Sequence, residues 1–341
     1  MSDVAALAGV SHQTVSRVLN EHPSVRPETR ARVLDAIATL GYRRNVAART
    51  LVTRRSGTVG VITSGSALFG PTSTFIAVEH AARERGLFVS VATVLDFTEE
   101  TVLLALEHFM SQGVDGAVVI AAQDDAIAAV RSFQAPVPVV VVGPRDLPPG
   151  GVHPVAVDHY LGARLATRHL LDLGHTRVAH VCGPQDWIEG RERLRGWRDV
   201  LAESGLEVPD HIPGDWTAQR GYEAGRLMVD GELPGAVFAA NDQLALGVLH
   251  AFTEAGVRVP QDVSLVGFDD IAGSDHFSPP LTTVRQEFAT LGRACLRVLS
   301  RAIDGEPVAA EIIEPHLVVR SSTAPPREGA SDGTRLADAA R

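Results

Sequence analysis

Ser11-His12-Gln13-Thr14-Val15-Ser16-Arg17-Val18-Leu19-Asn20 is the stretch that decides how the N-terminal part of this chain folds. Ser11 offers an oxygen suited to a helix N-cap, and Val15, Val18 and Leu19 recur at the spacing of one helical face. His12, Gln13 and Arg17 are left to point outward. Upstream, Asp3 to Ala8 reads as a short helix with Val4, Leu7 and Ala8 turned inward, ended by Gly9-Val10. Downstream, Pro27 and Gly41 bound a third helix, whose Val33, Ile37 and Leu40 close a small core that Leu34 broadens. Two short helices across a glycine turn, braced by a third, predict a helix-turn-helix over residues 1–44.

The outward face of the second helix carries the chemistry of base reading. Gln13 can present its amide to adenine, Arg17 can aim paired donors at guanine, and His12 donates or accepts according to tautomer. Ser11, Thr14 and Ser16 suit the phosphate backbone, and Asn20 completes the expected DNA-binding set on this stretch. Charge agrees with this division. Residues 1–55 carry nine Arg against four acids, for a net +5, whereas the remainder carries −15 of the chain's total −10. A basic head on an acidic body can approach nucleic acid while the body resists non-specific adhesion. All 31 basic residues are Arg, which reads as compositional bias.

With 341 residues and 45% hydrophobic content, there is room for a further, larger domain with a buried core. From Val59 onward, apolar runs alternate with helical stretches. Strands are expected at 59–62, 88–94, 117–121 and 137–142, with helices near 74–85, 99–112 and 124–132. A second cycle places strands at 178–182, 236–240 and 263–267, with helices near 189–204, 217–230, 242–255 and 286–302. Two α/β lobes with parallel sheets put a cleft between their strand ends, the arrangement of a periplasmic-binding-protein-like sensor. The chain is expected to cross between lobes near 158 and 284, with a third crossing near 234.

Asp269 and Asn241 stand where strands end, so a carboxylate and an amide can enter the cleft. Arg193 offers fixed donors to vicinal hydroxyls, and Trp216 offers a face for a sugar ring. Cys182 and Cys295 lie more than 100 residues apart, with no disulfide or metal spacing. No cofactor is expected. No HExxH, no Walker loop ending in Lys and no G-x-S-x-G elbow occurs, which argues against an enzyme. The N-terminus lacks an apolar signal core, and no uncharged apolar stretch approaches membrane-spanning length, so a cytoplasmic protein is expected.

Residues 45–57 join head to body, and there the sequence resembles the LacI/GalR family of transcription regulators. The matching pieces are Asp3 to Ser11, Gln13 to Asn20, Thr29-Arg30, Leu40-Gly41-Tyr42, Asn45, Ala48-Arg49 and Leu51. In the body they are Asp158 to Leu165, Leu173-Gly174-His175, Gly190 to Trp197, Ala240-Asn241-Asp242, Val266 to Asp270 and Pro280 to Val284. The resemblance implies that two chains seat their 46–51 segments together in a minor groove, with Leu51 wedged into a base step and Asn45, Ala48 and Arg49 in support. It also implies that Arg193, Trp216, Asn241, Asp269 and Gln286 hold a small sugar of galactoside-like character, with Ser64 and Leu68 on the opposite lobe.

There are departures. Arg26 replaces a capping Ser, Arg44 a Pro, Arg83 an acid, and Leu161 an Asp that would accept a hydroxyl. A paired wedge implies a homodimer on a palindromic or near-palindromic operator. Residues 58–320 are expected to form the sugar-binding and dimerisation domain. Residues 321–341, with one Leu and no heptads, are expected to be a flexible tail that does not make tetramers. A repressor released by the sugar is the expected activity. A corepressor-dependent regulator or activator of the same family, an extracytoplasmic sugar-binding protein and a sugar-processing enzyme remain the alternatives.

Overall fold

The computed structural model describes residues 1–19, 22–42, 55–65, 67–95, 97–120, 123–133, 135–144 and 152–327. The chain divides into two compact units, Met1–Ser56 and Gly57–Arg341.

In the first unit, α1 (Ser2–Ala8), α2 (His12–Leu19) and α3 (Pro27–Thr39) enclose Val4, Ala5, Ala8, Val15, Val18, Val33 and Ala36. Gly9 ends α1 at φ 63°, in the left-handed region that glycine enters without a side-chain clash. The Ser11 hydroxyl accepts the Thr14 N–H at 3.1 Å, capping α2 as its position predicts. Arg26 makes no capping bond to α3, whose start rests instead on Pro27. The inward stripe differs from expectation. Leu7, Leu34 and Leu40 are about half exposed, because alanines at 5, 8 and 36 take the closest contacts in this thin core.

The second unit holds two six-stranded sheets. The first runs in the order β11-β5-β4-β3-β1-β2, from β1 (Thr58–Ser64), β2 (Phe88–Val94), β3 (Gly116–Ile120), β4 (Val139–Val142), β5 (Val152–Val157) and β11 (Glu311–Ile313). It is flanked by α4 (Phe69–Glu84), α5 (Glu99–Gln112), α6 (Asp124–Ser132) and α11 (Phe288–Ile303). The second runs β12-β10-β9-β8-β6-β7, from β6 (Val178–Cys182), β7 (Ile212–Pro213), β8 (Ala236–Ala239), β9 (Ser264–Asp269), β10 (Thr282–Arg285) and β12 (His316–Val318). Its helices are α7 (His159–Asp172), α8 (Ile188–Glu203), α9 (Ala218–Asp230) and α10 (Asp242–Glu254). Each sheet has an apolar cluster on both faces, which is why the inner strands β1, β3, β8 and β9 read as unbroken apolar runs. All described pairings are parallel except β10 with β12.

The chain passes between lobes between β5 and β6, between β10 and α11, and between β11 and β12. The first two passages stand near the expected 158 and 284. The third lies at Glu314–Pro315 and not near 234, since β7 and β8 both belong to the second sheet. Residues 321–327 are no free tail. Ser322 is fully buried, donates to the Leu265 carbonyl at 2.6 Å and accepts the Thr282 N–H at 2.8 Å, while Ala324 takes hydrogen bonds from Ser264 and His175. Both cysteines are buried and unpaired, and burial pushes the Cys295 thiol up to about 12. Among the described residues, no helix is long and apolar enough to cross a membrane, and no His, Cys, Asp and Glu cluster could hold a metal.

Candidate functional site

In both sheets the order of strands reverses beside the first strand of the lobe, and open α/β sheets form crevices at the carboxyl ends of such strands. Here the two crevices face each other across one cleft, partly open to solvent. Ser64 ends β1 and Leu68 precedes α4. Arg193 lies on α8, Trp216 precedes α9, Asn241 caps α10, Asp269 ends β9 and Gln286 follows β10. All seven line this cleft.

Its floor is an ion pair. Arg193 and Asp269 are both about nine-tenths or more buried, with Nη2 to Oδ1 at 3.4 Å, and the same Oδ1 accepts the Gln286 amide at 2.6 Å. Arg193 also donates through Nη1 to the Ala240 carbonyl and through Nη2 to His159 Nδ1 at 3.2 Å. Its guanidinium stacks 3.7 Å from the Phe268 ring centre. Burial raises the Asp269 pKa against the pull of Arg193 and Gln286, and it lowers that of Arg193. His159 is driven well below the ordinary imidazole range by burial and by the Arg193 charge. Accepting at Nδ1, the neutral ring carries its proton at Nε2.

Backbone strain gathers at the same place. Trp216, Asp269 and Asp270 have φ of 73°, 108° and 53°, values that side-chain-bearing residues rarely adopt. Trp216 is pinned on both sides: the Asp215 carboxylate accepts the Thr217 N–H at 2.9 Å, and the Asn241 amide donates to the Trp216 carbonyl at 3.1 Å. Gly183 lets the indole pass, since a β-carbon there would overlap the ring. The Asn241 carbonyl oxygen caps α10 by accepting the Leu244 N–H at 2.8 Å, which leaves one amide hydrogen for a ligand. The Arg193 Nε and Trp216 Nε1 hydrogens have no partner among the described residues, although both atoms are withdrawn from solvent.

Asp242 supports the floor from behind. It accepts the Thr283 hydroxyl at 2.6 Å and the Ile271 N–H at 2.9 Å, tying the turn after β9 to β10. Burial, reinforced by the Asp269 charge, pushes its carboxyl from 3.8 up to about 8. The folded state therefore keeps a proton that the unfolded chain releases, and this contribution to stability declines as pH rises from 3.8 toward about 8, then levels off. Asp242→Asn supplies the uncharged group permanently, with its oxygen toward Ile271 and its amide toward Thr283. Thermal melts from pH 5 to pH 9 should show a shallower decline in the variant, and an unchanged slope would contradict this account.

Some expectations are met elsewhere or not at all. Neither Arg83 nor Leu161 lines the cleft: Arg83 pairs with Glu79 on its own exposed helix face, and the Leu161 N–H is held at 2.9 Å by the Asp158 cap of α7. Glu189, His159, Gln123 and Trp187 line it without having been singled out. Glu189 had a legible signal, since it stands four residues before Arg193 and so shares its helical face.

In the head, the N-terminal half of α2 presents His12 and Gln13 to solvent, with Arg17 exposed one turn beyond Gln13. Thr14 and Ser16 are half-buried, and the Thr14 hydroxyl lies 2.9 Å from that of Ser11. Asn20, Asn45, Ala48, Arg49 and Leu51 lie outside the described residues.

Two family models match the chain: "Bacterial regulatory proteins, lacI family" over residues 1–45, and "Periplasmic binding protein-like domain" over residues 167–323. The lactose operon repressor of Escherichia coli (strain K12) is 36% identical, covering 98% of this chain and 94% of its own length. The crystal structure of the lac repressor dimer bound to operator and the anti-inducer ONPF superposes with a TM-score of 0.83 at 35% identity, covering 94% of this chain and 98% of that one. A transcriptional regulator CelR–cellobiose complex gives a TM-score of 0.70 at 36% identity, with the same coverages.

Proposed function

This chain belongs to the lacI family of bacterial regulatory proteins, and from that premise we propose that it is a repressor released from its operator by a small saccharide of galactoside-like character. Membership makes it a DNA-binding repressor under the control of a small-molecule effector. The finer reading rests on one observation: seven residues drawn from both lobes, and from the ends of strands far apart in sequence, line a single cleft. Its fittings suit a polyol. The Asp269 carboxylate accepts, Arg193 Nε, Trp216 Nε1 and the spare Asn241 amide hydrogen donate, and the Trp216 ring offers an apolar face.

On the DNA side, Gln13, Arg17 and His12 are the base-reading group, and Ser11, Thr14, Ser16 and Asn20 engage the backbone. Asn45, Ala48, Arg49 and Leu51 form the minor-groove element, paired across a homodimer on a palindromic or near-palindromic site. Effector and operator act in opposition through the lobe arrangement: a filled cleft favours a state in which the two connectors cannot seat side by side. Linkage makes the coupling reciprocal, so operator must weaken saccharide binding by the same factor. A panel of galactosides, glucosides and other disaccharides, tested on the full chain bound to DNA from upstream of its own gene, should include members that weaken binding. Tighter binding would instead make the ligand a corepressor, and no change with any saccharide would remove the reading.

A further inference from the structure

The cleft holds one carboxylate more than its cations balance. Among its described lining residues Asp269 and Glu189 are acids, Arg193 is the sole guanidinium, and His159 is neutral. Arg193 already faces Asp269, the Ala240 carbonyl and His159. Glu189 Oε2 is withdrawn from solvent and has no hydrogen-bond partner. A buried acceptor without a donor costs free energy until something supplies one.

The backbone on either side of Glu189 is fixed to the opposite lobe. Just before it, Trp187 makes a backbone bridge to Gln123, and Ile188 sits in the apolar cluster of the first lobe with Val119, Ala126 and Ile127. Just after it, Arg191 donates to Asp124 at 2.8 Å and to the Gln185 carbonyl at 3.0 Å. Residues 185–191 thus form a strap from the second lobe onto the first, and Glu189 is the strap's residue with a carboxyl atom left unsatisfied at the cleft. Burial raises the Glu189 pKa, and the nearby Asp269 charge adds to this, consistent with a carboxyl group short of compensation.

We infer that Glu189 sets the charge class of the effector: the cleft takes an uncharged polyhydroxyl ligand that donates a hydrogen bond to Glu189 Oε2, and rejects sugars bearing a carboxylate or phosphate. This rests on the saccharide reading above and sharpens it. An anionic sugar would be desolvated beside two carboxylates, Asp269 and Glu189, that have only the one guanidinium of Arg193 between them, and such like-charge juxtaposition is costly at a buried interface.

The test compares matched pairs by calorimetry on the full chain: galactose against galacturonate and against galactose 6-phosphate, and lactose against lactobionate. In the wild type the neutral member should bind at least about 100-fold more tightly than the anionic one. In Glu189→Gln, and in the smaller Glu189→Ser, that ratio should shrink by about tenfold or more. Because each ratio is taken within one folded protein, a general loss of stability does not mimic the effect. Equal binding of both members to the wild type, or a ratio unchanged in both variants, would overturn the role of Glu189 while leaving a saccharide effector in place. If neither member of any pair bound, the galactoside-like reading would fall, and this inference with it.

Discussion

Arg193→Ala should lower effector affinity by about 100-fold or more and leave the ligand-free protein's affinity for operator close to that of the wild type. The guanidinium makes four contacts at the floor of the cleft. It faces Asp269, donates to the Ala240 carbonyl just after β8 and to His159 Nδ1, and lies over the Phe268 ring. Its loss leaves Asp269 buried with only the Gln286 amide, and breaking a buried pair from one side costs about 3–5 kcal/mol. The body should therefore also melt at lower temperature. Pairing the change with Asp269→Asn removes the stranded charge and should recover much of the stability without recovering ligand affinity. Calorimetric titration and thermal melts of the two variants and the wild type check both halves. Full effector affinity in Arg193→Ala would show that the pair is only structural.

Leu51→Gly should weaken operator binding by about 100-fold while saccharide affinity in the absence of DNA stays unchanged. Leu51 lies outside the described residues, so the expectation rests on chemistry and on family membership. An apolar wedge partly unstacks a base step, a few kcal/mol are at stake per step, and Gly brings neither the wedge nor helix propensity to a segment too short to be helical alone. The salt dependence of binding should barely change, because no phosphate contact is removed. A uniform loss with a shallower salt slope would instead mark Leu51 as part of an electrostatic contact region.

Much of this was legible because the informative patterns are long. The inner strands are buried on both faces, so residues 59–62 and 236–239 read as apolar runs, and the 3.6-residue stripes located the helices between them. Other strands escaped. β5 contains His153 and Pro154, β10 has four residues of which two are Thr, and β7, β11 and β12 have three residues or fewer, so none shows an apolar run or a clear alternation. The exposed Leu7, Leu34 and Leu40 went astray because hydrophobicity favours Leu over Ala for a core, whereas three closely packed short helices favour the smaller residue. In the cleft, Asp269 and Asn241 could be found from their place at strand ends, and Arg193 from its donor chemistry and the family pattern over Gly190 to Trp197. Glu189 was legible from its place one turn before Arg193, whereas His159 and Gln123 could not be placed without knowing which segments cross between lobes, since that is a property of topology rather than of local pattern.

The most direct measurement is an equilibrium titration of the full chain against its own upstream operator, at fixed salt, with and without a saturating saccharide chosen from the panel. A filled cleft should weaken operator affinity by at least about tenfold, within the usual range of allosteric coupling, and Arg193→Ala should lose that response at the same saccharide concentration. Operator affinity that stays the same with the cleft demonstrably occupied would contradict the account.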